Sequence, residues 1–370
     1  MRYYNIHKLL DDYPNAHYYM IIGERSNGKT YSALEYALER YFQYGEEFAY
    51  VRRWGEDIRR KNLSQLFASH VENGLINKLS KGKWDNIVYT GSKFRLTKTV
   101  DEDGKVKTET DDGAIGYAFD LNSMEHYKSI SFPRITTVIF DEFLSRNGYL
   151  PNEFILFTNT LSTIIRQRNN VKIIMLGNTV NKSCPYFGEM GLGHVKDQEQ
   201  GTVDVYHYGG SKLQVVVEYA ESTSRHGGKK SDVYFAFDNP ELQMITQGSW
   251  EIAVYPHKPC AYKPKDIIFV FFIEFENELL QGEVVGLDTG SFIFFHRKTG
   301  VIKYPDKDVV YTTKASEKWN YMMCLTKQND KISKKILEYF KLNRVFYADN
   351  EVGEIVRNYL MWSDGYSIKN

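Results

Sequence analysis

Gly23, Gly28, Lys29 and Thr30 stand in "GERSNGKT" as a glycine, four residues and then Gly-Lys-Thr, the spacing of the phosphate-binding P-loop. That spacing serves anion capture. The stretch Gly23, Glu24, Arg25, Ser26, Asn27, Gly28 can wrap a phosphate with its N–H groups, and a helix opening at Lys29, Thr30 and Tyr31 offers the positive end of its dipole. Lys29 is expected to reach the β- and γ-phosphates of ATP, and the Thr30 hydroxyl to hold Mg²⁺. A second set follows in "RITTVIFDEF", where two acids close an apolar run. Asp141 is assigned to the magnesium shell, and Glu142 to polarising the hydrolytic water as general base. A third lies in "VKIIMLGNT". There Asn178 can sense the γ-phosphate or hold the water, although Asn and Gly are also the commonest turn formers.

These side chains need strands that end beside one another. "HYYMII" (His17 to Ile22), Ile135 to Phe140 and Val171 to Leu176 are short apolar runs suited to strands buried on both faces. Tyr31, Leu34, Leu38 and Tyr41 recur at helical spacing after the loop. Between the second and third strands, Asn152 reads as a helix N-cap, with Glu153 in the first turn and an apolar stripe of Phe154, Phe157, Leu161 and Ile164. That helix ends at Arg166 and Arg168, which either complement the helix dipole or reach a neighbouring subunit's nucleotide. "EEFAYVRRW" is a further strand ending in Arg52 and Arg53. The basic cluster from Arg52 to Lys61 can meet nucleotide or nucleic acid, or form a solvated, salt-bridged face. "DEDGK" marks an exposed hairpin with Asp103-Gly104 at its turn. The class is α/β: a P-loop ATPase domain with a central, mostly parallel sheet, of the additional-strand catalytic-glutamate (ASCE) type. A GTPase fits worse, because Asn181-Lys182-Ser183-Cys184 lacks the acid that grips guanine.

The chain has 370 residues, 42% hydrophobic, enough for two domains with buried cores. Its 47 basic and 47 acidic residues cancel, so any nucleic-acid contact has to be local. Cys184, Cys260 and Cys324 are too few and too scattered to suggest a disulfide framework or a zinc site. The reading is a soluble, cytoplasmic protein, with no apolar run of bilayer length and no membrane partner. We place a P-loop domain at 1–214, a linker at 215–250 around "AESTSRHGGKKSD", and a small α+β domain at 251–370. In the last, "DIIFVFFIEF", "GEVVGLDTGSFIFFHRKTGVIKYP" and "DVVYTT" read as strands with turns at Gly290 and Gly300, and "KISKKILEYFKL" as an amphipathic helix.

Together, "GERSNGKTYSALEYALERYFQYGEEFAYVRR", "YKSISFPRITTVIFDEF", "GYLPNEF", "IIRQRNNVKIIMLGNTV" and "CPYF" resemble the genome-packaging ATPases of phi29-like small podophages. The likeness runs from about Ile6 to Phe187. It implies a pentameric ring docked on the portal of an empty viral shell in the host cytoplasm, driving double-stranded DNA inward on ATP, with an RNA adaptor as a further candidate partner. It also implies Arg25 in the phosphate loop, Arg166 as a finger acting in trans, and Lys128 near the subunit interface. The hairpin around Asp103 is longer here than in that family. The resemblance further implies an RNase H-like carboxyl-terminal domain. An active nuclease needs three or four acids around two metals. Asp288, Asp306 and Asp349 have ordinary spacing, so the expectation is a vestigial nuclease that grips DNA. Lys331, Lys334, Lys335 and Lys341 are then candidate phosphate contacts, or simply a solvated face. The rival readings are a terminase with an active nuclease, another ring translocase or helicase, and a nucleotide-binding scaffold without turnover.

Overall fold

The computed structural model describes residues 3–102, 105–122, 129–146, 148–180, 182, 184–221, 250 and 253–365. They form two compact units. The first comprises Met1–Ser145, Asn152–Lys182 and Leu192–Trp250, and the second Arg146–Pro151, Ser183–Gly191 and Glu251–Asn370.

The first unit is built on one twisted sheet. Its parallel strands, in spatial order, are β6 (Gly116–Asp120), β2 (Glu47–Arg52), β7 (Ile135–Asp141), β8 (Lys172–Asn178), β1 (Tyr18–Gly23) and β10 (Gln214–Tyr219). Antiparallel β9 (Thr202–His207) closes one edge. At the other edge lie β3 (Asn86–Thr90), β4 (Lys93–Glu102) and β5 (Lys105–Thr110), also antiparallel. The central strands are buried nearly end to end because helices cover the sheet, so they read as continuous apolar runs rather than alternating ones. Strand β8 lies between β1 and β7, the additional strand expected from the sequence.

Helix α1 (Ile6–Asp12) packs on α2 (Lys29–Tyr44). Apolar residues of α2, Ala33, Leu34, Ala37 and Leu38, are buried in one core with Tyr19, Ile21, Phe48 and Ile139 of the sheet. Between β2 and β3 come three short helices, α3 (Arg60–Leu63), α4 (Ala68–Glu72) and α5 (Leu75–Leu79). Helix α6 (Glu153–Ile165) follows β7 and buries Phe157, Leu161 and Ile164, as its stripe predicts.

Two expectations change here. Asn152 does sit at the N-cap of α6, but in the left-handed region (φ 55°) and without a side-chain capping bond. The boundary at 214 also falls short. Strand β10 pairs with β1 from Tyr18 opposite Val215 to Ile22 opposite Tyr219, so the first sheet consumes the start of the expected linker. Residues 222–249 of that linker, like the Asp103-Gly104 turn and Lys128, lie outside the described residues.

The second unit carries α7 (Pro185–Glu189) and a six-stranded sheet. Strands β11 (Ile267–Phe275), β12 (Glu278–Leu287) and β13 (Gly290–Arg297) form an antiparallel meander. Strand β14 (Val309–Thr312) adds parallel to β11, β15 (Tyr321–Met323) parallel to β14, and β16 (Val345–Tyr347) parallel to β13. Helices α8 (Lys331–Lys341) and α9 (Asn350–Gly365) bury Ile336, Tyr339, Val352, Val356 and Tyr359 with Phe271, Ile273 and Phe295. This is the α+β arrangement expected for the carboxyl-terminal part.

Candidate nucleotide site

Parallel strands β1, β7 and β8 all end at the same edge of the first sheet, so the loops that follow them meet. Gly28 has φ +94° at the start of α2, and a side chain there would also meet Tyr3 at 3.1 Å; glycine alone satisfies both conditions. Lys29 is buried, and its ammonium donates to the Glu24 carbonyl (2.6 Å), Asn27 Oδ1 (3.1 Å) and Asn178 Oδ1 (3.4 Å). Burial pulls its pKa down to about 8, against the opposing pull of Asp141 and Glu24. The ends of β1 and β8 are thereby joined through one cation.

Thr30 Oγ1 donates to Asp141 Oδ1 at 3.2 Å. Asp141 is buried and also accepts from the Tyr50 hydroxyl at 2.8 Å, with Arg52 3.8 Å away. Burial raises its pKa, and Arg52 and Tyr50 counter that rise. A hydroxyl and a carboxylate side by side are hard oxygen donors of the type that Mg²⁺ prefers, so these two residues fit that ion.

Glu142 holds a positive φ of 58°, costly for a residue with a Cβ, and its own N–H donates to Asp141 Oδ1 at 3.1 Å. Its exposed carboxylate lies 2.7 Å from Arg52 Nη2. Arg52 in turn contacts Asp57 at 3.1 Å. Burial disfavours the Arg52 cation, but Tyr50, Glu142, Asp141 and Asp57 together hold its pKa above the usual value. A cavity of about 750 Å³ is lined by Ser26 to Ser32, Asp141, Glu142, Gly177 and Asn178, among others.

The expected residues divide sharply. Lys29, Thr30, Asp141, Glu142 and Asn178 converge. Within the loop, Glu24 contributes its carbonyl, Asn27 its side chain, and Tyr31 lines the cavity, whereas Arg25 is exposed and outside the lining. Arg53 is a buried structural cation, bidentate to buried Glu153 at 2.7 and 2.9 Å and donating to the carbonyls of Phe143 (2.6 Å) and Glu142 (3.1 Å). It is placed to fix the β7–α6 connection, not to meet DNA. Arg168 is likewise committed, donating to the carbonyls of Phe132, Pro133, Ile135, Ile164 and Ile165 at 2.5 to 3.2 Å. Arg166, at the end of α6, donates to the Ile130 carbonyl at 3.0 Å.

In the second unit, Lys331, Lys334, Lys335 and Lys341 lie on the exposed side of α8, and Lys335 pairs with Glu338 at 2.7 Å. Asp306 pairs with Lys318 at 3.0 Å, and Asp349 with Arg297 at 3.2 Å. Among the described residues, no group of three or more His, Cys, Asp or Glu is placed to hold a metal. Sequence reasoning missed Tyr50 and the pairing of Arg52 with Glu142. Half of the signal was available: residues two apart on a strand share a face, so Tyr50 and Arg52 point the same way, but that their strand runs beside β7 comes only from the fold.

Fold and site together define a P-loop ATPase fold of the additional-strand class. A family profile described as the Podovirus DNA encapsidation protein (Gp16) matches residues 1–82 and 98–360, and the chain belongs to that family. The DNA packaging protein of Bacillus phage B103 is 30% identical over 180 residues, 46% of this chain and 47% of that protein. The DNA packaging protein of Bacillus phage phi29 is 30% identical over 175 residues, 45% and 44% of the two. The chain thus aligns with about half the length of these relatives. In fold it is similar to a chain of the bacteriophage Phi-29 viral genome packaging motor assembly (TM-score 0.55, 22% identity, 96% of each chain). A chain of the Phi-28 gp11 DNA packaging motor is similar as well (TM-score 0.53, 18% identity, 99% of each).

Proposed function

We propose that this protein is an ATPase that drives double-stranded DNA into a preformed viral shell as one subunit of a ring. The observation that carries the reading is the meeting of Lys29, Thr30, Asp141, Glu142 and Asn178 at one cavity on the sheet edge. Lys29 turns from the loop's own carbonyl and amide oxygens toward the β- and γ-phosphates, while backbone N–H groups from Gly23 to Thr30 cradle them. Thr30 and Asp141 hold the magnesium ion, which when bound neutralises charge on the phosphates. Glu142 accepts the proton of the attacking water, and its ion pair with Arg52 has to loosen for its carboxylate to do so. Asn178 orients the water or the γ-phosphate.

The DNA side of the proposal is supported by family membership and by the names its relatives carry. On that reading the subunits form a pentamer on the portal in the host cytoplasm, with an RNA adaptor as a candidate component. Arg166 is the finger offered to the next subunit, at the position the family resemblance implies. The second unit serves as a vestigial RNase H-like domain whose α8 lysines touch DNA phosphates without reading sequence.

Steady-state phosphate release, with and without double-stranded DNA, tests the proposal. Wild type should hydrolyse ATP faster with DNA, and Glu142→Gln should turn over at least about a hundredfold more slowly while still binding nucleotide. Undiminished turnover in Glu142→Gln, or no response to DNA, would sink it.

A further inference from the structure

Tyr50 lies within β2, its ring buried in one core with Tyr19, Ile21, Phe48 and Ile139. A tyrosine in such a place brings a demand that phenylalanine would not, because a buried hydroxyl needs a hydrogen-bond partner. Its partner is a carboxylate of the nucleotide site. Strands β2 and β7 run parallel with Tyr50 opposite Ile139, and the phenol reaches two residues further along β7 to donate to Asp141 Oδ2 at 2.8 Å.

A carboxylate at a strand end turns easily, because the torsion that carries it is broad and two-fold. Several groups restrain this one. Oδ1 accepts from the Glu142 N–H at 3.1 Å and from Thr30 Oγ1 at 3.2 Å, and Thr30 Oγ1 also lies 3.4 Å from Oδ2. Thr30, however, is itself assigned to the magnesium ion. Arg52 stands 3.8 Å from Oδ2, beyond hydrogen-bond distance, and directs its guanidinium to Glu142 at 2.7 Å and Asp57 at 3.1 Å.

Tyr50 thus makes the shortest of the hydrogen bonds to Asp141, from a donor that the scheme of phosphate, metal and water handling does not use. Its ring is fixed by the core. Its hold on Oδ2 therefore does not depend on where the Arg52 guanidinium points when the pair with Glu142 loosens. Hydrogen bonds to a metal-holding carboxylate set its orientation, and their loss weakens metal binding without removing a ligand.

We propose that Tyr50 is a positioning residue for the magnesium site, its hydroxyl keeping the Asp141 carboxylate turned with Oδ1 beside the Thr30 hydroxyl. It acts through Asp141. The inference rests on the assignment of Thr30 and Asp141 to Mg²⁺ under the proposed function, and it gives β2, which carries no nucleotide motif, a part in holding the cation.

Equilibrium binding of a non-hydrolysable ATP analogue to the full chain, in excess Mg²⁺ and separately in EDTA, tests it. Tyr50→Phe keeps the buried ring and removes one oxygen. Wild type should bind the analogue more tightly in Mg²⁺ than in EDTA, and the variant should lose about tenfold in Mg²⁺ and nothing in EDTA. In an Asp141→Asn background the same substitution should change neither affinity, because the group through which Tyr50 acts is already gone. A full Mg²⁺ gain in Tyr50→Phe overturns the role of Tyr50 while leaving the magnesium site standing. So does an equal loss in both media, which marks a disturbed core, or a further loss in the Asp141→Asn background. Equal wild-type affinity in the two media instead removes the magnesium assignment, and absence of binding in both removes the nucleotide site; either takes the role of Tyr50 with it.

Discussion

Asp141 closes a short, apolar, parallel strand in one unit and Asp349 stands just after one in the other, and their fates differ completely. Asp141 is buried where three strand ends meet, and Thr30, Tyr50 and Arg52 surround it. Asp349 has a half-exposed side chain, accepts from the Val352 N–H at 2.8 Å to start α9, and pairs with Arg297. An acid at a strand end is therefore not yet a site. It becomes one when the sheet topology brings a second loop of complementary chemistry beside it, which the β7-β8-β1 order does for Asp141. The same contrast separates cations: Lys29 and Arg53 of the first unit are buried, whereas the α8 lysines of the second face solvent.

The largest effect that would sharpen this contrast comes from Arg53. Arg53→Ala leaves the Glu153 carboxylate buried without its bidentate partner, and such a loss costs about 3–5 kcal/mol. Urea unfolding should show that drop, and Arg53→Leu combined with Glu153→Leu should recover much of it. A single variant as stable as wild type would mean that buried charge is not what holds the β7–α6 connection.

A smaller effect concerns Lys29. With a folded pKa of about 8, below its ordinary value, its burial opposes folding while the group is charged, and that penalty fades as pH rises from about 8 toward 10.5. Nucleotide binding runs the other way, because phosphate favours the charged form. ATP affinity should be flat below about pH 8 and fall about tenfold per unit above it. Titrations at about pH 9 in buffers of different ionisation enthalpy should show proton uptake on binding; no uptake would mean that burial does not perturb the Lys29 ammonium.

The part of this arrangement that the sequence exposes is the part encoded locally. Strands β1, β7 and β8 are unbroken apolar runs ending in polar residues, and the glycine spacing before Lys29 has few other uses. Strand β10 is hidden because Val215, Val216 and Val217 sit between polar loops, where a short apolar run carries no periodicity to separate strand from linker. The Arg53–Glu153 pair is invisible because its members stand 100 residues apart, and Glu153 alone looks like an ordinary first-turn acid. Strands β15 and β16 have three residues each, too few for any pattern. The five core site residues were thus legible, while Tyr50 and the Arg52 pairing arise only when β2 is folded beside β7.

The smallest effects belong to the second unit's acids, and they bear most directly on whether that unit holds a site of its own. Asp349→Ala removes a side chain that accepts a helix-start N–H, so it should cost about 1 kcal/mol. Asp306→Ala removes one exposed ion pair with Lys318, and unfolding should not register it. Neither change should alter ATP turnover measured by phosphate release, because each aspartate is engaged by partners on its own unit. The discriminating measurement is plasmid integrity in Mn²⁺ with wild type and Asp349→Ala side by side. If wild type cut DNA and the variant did not, at unchanged stability, Asp349 would be a metal ligand rather than a helix start. The contrast with Asp141 would then collapse.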